Sequence, residues 1–515
     1  MSEQSKGLPM TAKWDPEKLA RETAELKALE SKPFLPRATG YIKRTGPGLL
    51  QSAMTLGAGS AAASVMAGAS FGYKLLWVQP VAMFLGICML AALGNIVLST
   101  GERPYRLFGR EMSWVLTFLW ALGTVSASII WHFPQYGLAA GAARDLAEMF
   151  GHTVWVDGAA APTLTAQGHM VSWGIGALIL GVSIFTVWNY GAGSRGIKLY
   201  EWFLRAVIGL VILSFGIVVV ANIGNIDWVE LGKGFIGWYG IPEIKPQPGL
   251  TAANLDSTTL VLGMLGAAVG INMTFLYPYS LLAKGWGENH KALSRWDLGM
   301  SMFLPFVLVT SLVIIGMAVA GVYNPDAEYV QAGMKPLDAS QALMGVMGEK
   351  LGRLIFDLGF IGMTCGAIST HMVVCGFTFC EMFGLEYTVW RYRLFSLVPA
   401  VGILGVVTST PIWFPIFASA ICFTMLPIAY LMFFVLANNR KLVKNSLGQG
   451  IGREIFNIIL LVALVVATVG AAIKIKGNVI NPIIKMLKQD SVEVPLDGDA
   501  VPEKTDIGTK FEEGE

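Results

Sequence analysis

The chain has 515 residues, 54% of them hydrophobic and only 14% charged, and its mean hydropathy is +0.58. Those values exclude an ordinary water-soluble domain and place it among polytopic membrane proteins. A net charge of +2, with no concentrated basic face, excludes a nucleic-acid partner.

Residues 1–45 read as a cytoplasmic tail. The first forty are polar, so no signal peptide is expected and the first span itself directs insertion. Asp15-Pro16 has the form of a helix start, with aspartate as cap and proline in the first turn. EKLARETAELKALES can follow it as a short amphipathic helix. A solvated, partly disordered tail is the expectation; contact with the membrane surface or the inner face of the bundle is the other reading.

Eleven apolar stretches follow: 46–72, 75–99, 113–143, 169–189, 202–222, 258–284, 298–322, 354–382, 394–408, 412–437 and 454–473. Most approach the ~20 residues a helix needs to cross a bilayer. The ninth is short, and Thr408–Pro411 reads as a tight turn into the tenth. Residues 474–515 form a C-terminal tail. Its last part, 490–515, is acidic and contains Pro and Gly, which favours disorder.

Two of the stretches are interrupted. The first, GPGLLQSAMTLGAGSAAASVMAGASFG, has Gly57-Ala58-Gly59-Ser60 at its middle, where each glycine costs about 1 kcal/mol relative to alanine in a helix. The sixth, TTLVLGMLGAAVGINMTFLYPYSLLAK, is interrupted at Gly270-Ile271-Asn272 and carries Pro278 further on. A break inside a membrane frees backbone groups that lipid cannot satisfy, so it is tolerated only where it lines a cavity or protein. Small residues that let helices approach closely would explain either stretch alone. Paired interruptions at corresponding positions of two halves point instead to a transporter's binding site. The expected architecture is an all-α polytopic membrane protein of five helices, five more in inverted topology and one extra, with spans one and six broken, which resembles the LeuT-like arrangement.

Lysines and arginines alternate between the connecting loops. Lys43, Arg44, Arg103, Arg106, Arg110, Arg195, Lys198, Lys284, Lys291, Arg295, Arg391, Arg393, Arg440, Lys441 and Lys444 share one side. The longer opposite loops, such as 223–257 and 323–353, are poorer in positive charge. The basic side is expected in the cytoplasm, with the N-terminus there and, for an odd span count, the C-terminal tail outside a cell (inner) membrane. The five cysteines, Cys88, Cys365, Cys375, Cys380 and Cys422, lie in or beside apolar stretches and read as small buried hydrophobes rather than a disulfide framework.

Several of these stretches resemble the NRAMP (natural resistance-associated macrophage protein) family of proton-coupled divalent-metal transporters. GPGLLQSAM, followed after the break by AGASFGYKLLWV, is similar to the family's GPG opening and its AGAxxGYxLLW run. LGAAVGINMTFLYPYSLL is similar to its LGAxxMPHNLYLHS pattern and ICFTMLPIAY to its SLQLPFA pattern. Arg391-Tyr392-Arg393 stands where the family has arginines entering the ninth helix. The resemblance covers roughly 40–473 and implies a secondary transporter of a divalent ion such as Mg²⁺ or Mn²⁺. The departures fall in the working site. Where the family carries Asp-Pro-Gly-Asn this chain has Gly57, Ala58, Gly59 and Ser60; Met-Pro-His becomes Gly270, Ile271 and Asn272; a site glutamine on helix ten matches Met425; and a third-helix acidic pair tied to protons matches His132 and Gln135.

The residues themselves allow more than one chemistry. No Asp or Glu lies at the centre of any expected span; Asp357 and Glu381 lie toward the ends of the eighth. The central polar groups are neutral: Thr55, Ser60, Asn272, Thr274, Tyr277, Thr364, Ser369, Thr370 and Ser419. Burying an ion without a compensating charge is costly. A neutral cage of hydroxyls and carbonyls could hold a largely hydrated Mg²⁺. Half-helix amides suit a neutral or zwitterionic organic solute. A non-transporting sensor or partner protein is a third reading. Met54, Met273 and Met425 offer thioethers to a soft ion, or simply fill gaps in an apolar core. His132 and His371 are titratable groups inside spans, and a mid-membrane ionisable group is a functional hypothesis by default. Each could carry protons or sit neutral against a neighbouring helix; Arg393 reads equally as a positive-inside anchor.

The expectation is therefore a metal-ion transporter working by alternating access. Its substrate sits among Thr55, Gly57, Ala58, Gly59, Ser60, Gly270, Ile271, Asn272 and Met425, and His132, Gln135, His371 and Arg393 are candidates for coupling to protons. No cofactor is implied. No catalytic constellation, phosphate-binding loop or HExxH stands out, so an enzyme or ATP-driven pump is not expected.

Overall fold

A computed structural model describes residues 16–156, 163–190, 194–243, 245–246, 257–324, 329–330, 334, 336–407, 414–443 and 450–481. It is nearly all helix. In chain order the helices are α1 Pro16–Glu30, α2 Phe34–Ile42, α3 Pro47–Thr55, α4 Ala58–Phe71, α5 Val78–Thr100, α6 Pro104–Glu111 and α7 Trp114–Met149. Then come α8 Ala166–Tyr190, α9 Ser194–Ala221, α10 Trp228–Phe235, α11 Ser257–Ala268, α12 Ile271–Ala283, α13 Lys291–Asp297 and α14 Leu304–Val319. The last are α15 Pro336–Met347, α16 Glu349–Met382, α17 Val389–Ser396, α18 Phe414–Phe423, α19 Leu426–Ala437, α20 Arg440–Val443 and α21 Ile451–Ile475. Two loops meet in a short parallel pair, β1 Lys245–Pro246 with β2 Tyr329–Val330.

Among the described residues nine helical segments are long and apolar enough to cross a membrane, and they coincide with nine of the eleven expected spans. The first expected span is divided between α3 and α4, and the apolar part of the fifth, Ile208–Ala221, is shorter. The ninth has a physical reason for its brevity. After α17 it continues as a 3₁₀ helix, Val398–Val407. That geometry rises about 2.0 Å per residue against 1.5 Å in an α-helix, so fewer residues cover the same depth. The turn expected at Thr408–Pro411 and the C-terminal stretch 490–515 lie outside the described residues.

The broken helices occupy the middle. The best apolar window within Ser257–Ala283 is 94% buried, against 33% for Ile451–Ile475, which turns Ile455, Ile458, Leu461 and Val465 outward. Every residue of α3 and α4 is buried.

Both interruptions fall earlier than expected and are shorter. Only Leu56 and Gly57 leave the helix in the first; Ala58, Gly59 and Ser60 form the opening turn of α4. Only Val269 and Gly270 leave it in the second, so Ile271 and Asn272 open α12. Gly57 (φ −85°, ψ −172°) and Gly270 (φ −87°, ψ 166°) are both extended, a conformation any residue can adopt. Size is the reason for glycine at 57, because a Cβ there would stand 2.8 Å from Cβ of Ala367. The tenth span, expected to be continuous, is interrupted too. Thr424 and Met425 separate α18 from α19, where Pro427 removes a backbone donor in the first turn.

Residues 16–42 are not a solvated coil. α1 and α2 bury Leu26, Leu29 and Tyr41, Glu25 pairs with Arg44 at 2.5 Å, and the rings of Phe34 and Tyr41 lie 5.5 and 5.8 Å from Trp296 at the end of α13. Next to Trp296, Asp297 caps the start of α3: its carboxylate accepts from the N–H groups of Gly46 (3.0 Å) and Gly48 (2.6 Å). These are orphan donors of a helix N-terminus, where negative charge is favoured.

A second buried charge cluster ties α7 to α16 at the opposite end of the bundle. Arg353 donates to both oxygens of Asp145, at 2.7 and 3.1 Å, and Asp357 is fully buried nearby. Removing one partner of such a pair leaves an uncompensated buried charge, a cost of roughly 3–5 kcal/mol. Arg353→Met is therefore expected to lower the thermal unfolding temperature of the detergent-purified protein clearly; an unchanged melting curve would show that the cluster adds nothing to stability.

Candidate functional site

Four half-helices meet at the two breaks. α3 and α11 end there and α4 and α12 begin there, so two carbonyl-bearing C-termini and two amide-bearing N-termini converge. Between them lies a cavity of about 20 Å³, on the order of one water molecule. Met54, Thr55, Gly59 and Ser60 line it from the first broken span, and Gly266, Ala267, Gly270, Asn272 and Met273 from the sixth. Trp131 and Gln135 of α7 and His371 of α16 complete it. None of these residues is Asp or Glu, and among the described residues no three His, Cys, Asp or Glu side chains converge anywhere.

The hydrogen bonds explain how the breaks are held. Thr55 Oγ1 donates to the Gln51 carbonyl at 2.8 Å and lies 3.4 Å from the carbonyl of Ala268, which links the two breaks directly. Ser60 Oγ donates back to the Thr55 carbonyl at 2.5 Å. Gln135 Oε1 accepts the N–H of Ala58 at 3.2 Å, so a side chain of α7 caps the start of α4. Asn272 Oδ1 accepts the N–H of Met273 at 3.0 Å, and its Nδ2 lies 3.4 Å from His371 Nε2. The Ile271 carbonyl accepts from Thr274 Oγ1 at 2.5 Å and lies 3.4 Å from Thr124 Oγ1.

His371 does not stand alone. Its Nδ1 lies 3.4 Å from the Ser128 carbonyl, and its ring stacks on His132, centroids 5.6 Å apart and planes 27° apart. Neither ring nitrogen of His132 makes a well-formed hydrogen bond among the described residues. Both imidazoles are buried, and only His371 reaches the cavity wall.

Sequence reasoning placed Thr55, Gly59, Ser60, Gly270, Asn272, Gln135 and His371, and the structure brings all seven to one cavity. Gly57, Ala58 and Ile271 contribute backbone beside it. Two expected residues are elsewhere. Met425 sits in the α18–α19 interruption with its sulfur against Gly123 of α7, because that interruption turns the chain before α19 begins. Arg393 lies over the ring of Trp188, 5.3 Å from its centroid, and does not line the cavity. Trp131, Gly266 and Ala267 were not foreseen. Gly266 is one turn before Gly270, and a Cβ on it would stand 2.5 Å from the Ser419 carbonyl oxygen. That spacing of small residues was the only available signal.

Residues 48–474 match the family described as natural resistance-associated macrophage protein-like, Nramp. The chain belongs to the Nramp family. It is thus a multi-pass membrane transporter and not an enzyme. It is 22% identical over 463 residues to the divalent metal cation transporter MntH of Acidiphilium cryptum, covering 88% of this chain and 92% of that one. A crystal structure of the Eremococcus coleocola manganese transporter superposes with a TM-score of 0.60 at 14% identity, covering 96% of each chain. MhsT in complex with L-phenylalanine superposes with a TM-score of 0.51 at 13% identity, covering 84% of this chain and 98% of that one. The fold is LeuT-like, with the Nramp arrangement of broken helices.

Within this Nramp chain the cavity leaves no room for larger side chains. A Cβ on Gly59 would stand 2.1 Å from the edge of the Trp131 ring. Gly59→Ala is expected to push Trp131 into the cavity and to reduce substrate uptake into proteoliposomes severely in protein that still folds; uptake at the wild-type rate would show that the cavity observed is not the substrate site.

Proposed function

We propose that this chain is a secondary transporter that carries a divalent metal ion by alternating access, with the ion held between the two helix breaks. Relatives across the length of the chain are named divalent metal cation transporters. The observation that carries the reading is the cavity of about 20 Å³ where two helix C-termini converge. Drug-sized organic ligands occupy pockets of roughly 300–1,000 Å³, so a neutral or zwitterionic solute would require the half-helices to separate far more than an ion does.

The absence of a carboxylate has a physical substitute. Each helix C-terminus carries the equivalent of about half a negative charge; the N-termini of α4 and α12 bring the opposite partial charge to the same place, so the ion is held by direct contact with the carbonyls that end α3 and α11 rather than by a net dipole charge. Unwound carbonyls and half-helix C-termini are the groups that coordinate cations in transporters of this architecture. Asn272 adds an amide, Met54 and Met273 thioethers and His371 an imidazole. Mg²⁺ prefers oxygen ligands and gives up water reluctantly, whereas nitrogen and sulfur donors favour transition-metal ions. The donor set therefore supports Mn²⁺ or a softer ion over Mg²⁺.

The stacked His132 and His371 would couple transport to protons; both are titratable, and His371 lines the cavity. The basic loops support an inner-membrane orientation with the N-terminus in the cytoplasm.

The test is uptake of Mg²⁺, Ca²⁺, Mn²⁺, Zn²⁺ and Cu⁺ into proteoliposomes with a pH-sensitive dye inside. Saturable Mn²⁺ uptake above Mg²⁺ is expected. Asn272→Ala should raise the half-saturating concentration about tenfold, the equivalent of about 1.4 kcal/mol; Ser60→Ala should act more weakly, since its hydroxyl serves the Thr55 carbonyl. Uptake of no metal by folded protein would overturn the proposal. A dye signal that His371→Ala abolishes would support proton coupling through the pair, and metal uptake without acidification would exclude it.

A further inference from the structure

A second cavity, larger than the one at the helix breaks, lies at the basic end of the bundle. It has a volume of about 270 Å³ and is lined by Asn95 and Leu98 of α5, Lys291, Ser294 and Arg295 of α13, and Phe456 of α21, among others. α13 and α21 both rest on α5, so α5 is the floor and the other two helices are the walls. Gly452, one turn before Phe456, leaves the mouth open: no atom lies within 4 Å of where its Cβ would be.

Charge and depth agree. No carboxylate lines the cavity. Among the described residues Lys291 pairs with Glu288, at 3.3 Å, and that carboxylate is itself 65% exposed. Arg295 is exposed and makes no ion pair among the described residues. Arg440 and Lys441 on α20, which also rests on α5, add positive charge nearby. Asn95 lies five residues from the end of α5 and Phe456 five from the start of α21, while Ala91 lies nine from the end of α5, so the cavity runs from roughly 7–8 Å to roughly 13–14 Å below the helix ends. A recess of that depth spans the zone where headgroups give way to acyl chains. Beside it α21 exposes Ile451, Ile455 and Ile458, an apolar face at which acyl chains can lie.

We propose that this cavity binds the phosphate headgroup of an anionic phospholipid, with Lys291 and Arg295 on the phosphate and the acyl chains along α21. Basic recesses between transmembrane helices suit such headgroups, and each Lys or Arg near a charged membrane surface contributes about 1 kcal/mol. The lipid would hold α13, whose last residue, Asp297, caps α3.

The test is native mass spectrometry of the full-length protein with phosphatidylglycerol, phosphatidylcholine or inorganic phosphate. Retention of phosphatidylglycerol over phosphatidylcholine is expected. The double variant K291Q/R295Q should lower that affinity about 30-fold, about fivefold per charge, and K291R/R295K should restore it. Gly452→Leu keeps both charges, and its Cβ enters open space, so it should displace the lipid by filling the mouth without affecting thermal stability in lipid-free detergent. Equal retention of the two lipids, or wild-type retention of phosphatidylglycerol by Gly452→Leu or by folded K291Q/R295Q, would overturn the proposal. So would occupancy by inorganic phosphate with no retention of phosphatidylglycerol, which would mark a site for a soluble anion.

Discussion

Everything in this fold depends on the rule that backbone polar groups in a membrane must find partners inside the protein. Two helices that stop at mid-depth violate it unless their ends are met. Here the ends meet each other and the side chains around them. Thr55 links one break to the other through the Ala268 carbonyl, Ser60 occupies the Thr55 carbonyl, and Gln135 reaches from α7 to cap α4. The same groups that keep the breaks tolerable form the wall of the cavity. If substrate binds in this cavity, structural satisfaction and binding compete for the same atoms, and entry requires some of these bonds to be replaced.

The closed ends of the bundle are held by a different kind of interaction. At the basic end a carboxylate, Asp297, holds the beginning of α3, with the docked α1 and α2 beside it through Trp296. At the other end Arg353 and Asp145 hold α16 to α7. Charge is used where helices are fastened near the ends of the bundle, and neutral groups line the cavity at the breaks.

Much of this was legible in the sequence because it was written in composition. Eleven apolar stretches and two glycine interruptions are local features, and they located nine spans and both breaks. Seven residues foreseen at the site share one cavity because they cluster at those breaks or lie on helices with few other polar groups. What failed to show was whatever depends on two distant segments meeting. Arg353 and Asp145 are 208 positions apart, and neither carries a local sign of the other. Asp297 stands 249 positions from Gly48, whose amide it meets at the start of α3. Trp131 gives no sequence hint of facing the cavity, since a tryptophan in an apolar stretch is common core. Met425 was misplaced because a one-helix reading of the tenth span hid the interruption that turns it aside.

The missing carboxylate also sets how the membrane voltage acts. A carrier whose empty site holds a fixed negative charge returns across the field as an anion, so the potential pushes on both halves of its cycle. The cavity here is lined only by neutral groups. If the ion is carried in this cavity, an empty carrier with its imidazoles unprotonated would cross without moving net charge through it. The loaded one moves the full charge of its cargo, which for a divalent ion means about 4–5 kcal/mol for every 100 mV. The electrical driving force would then fall almost wholly on the loaded step, and a membrane that is negative inside would make that step the inward one.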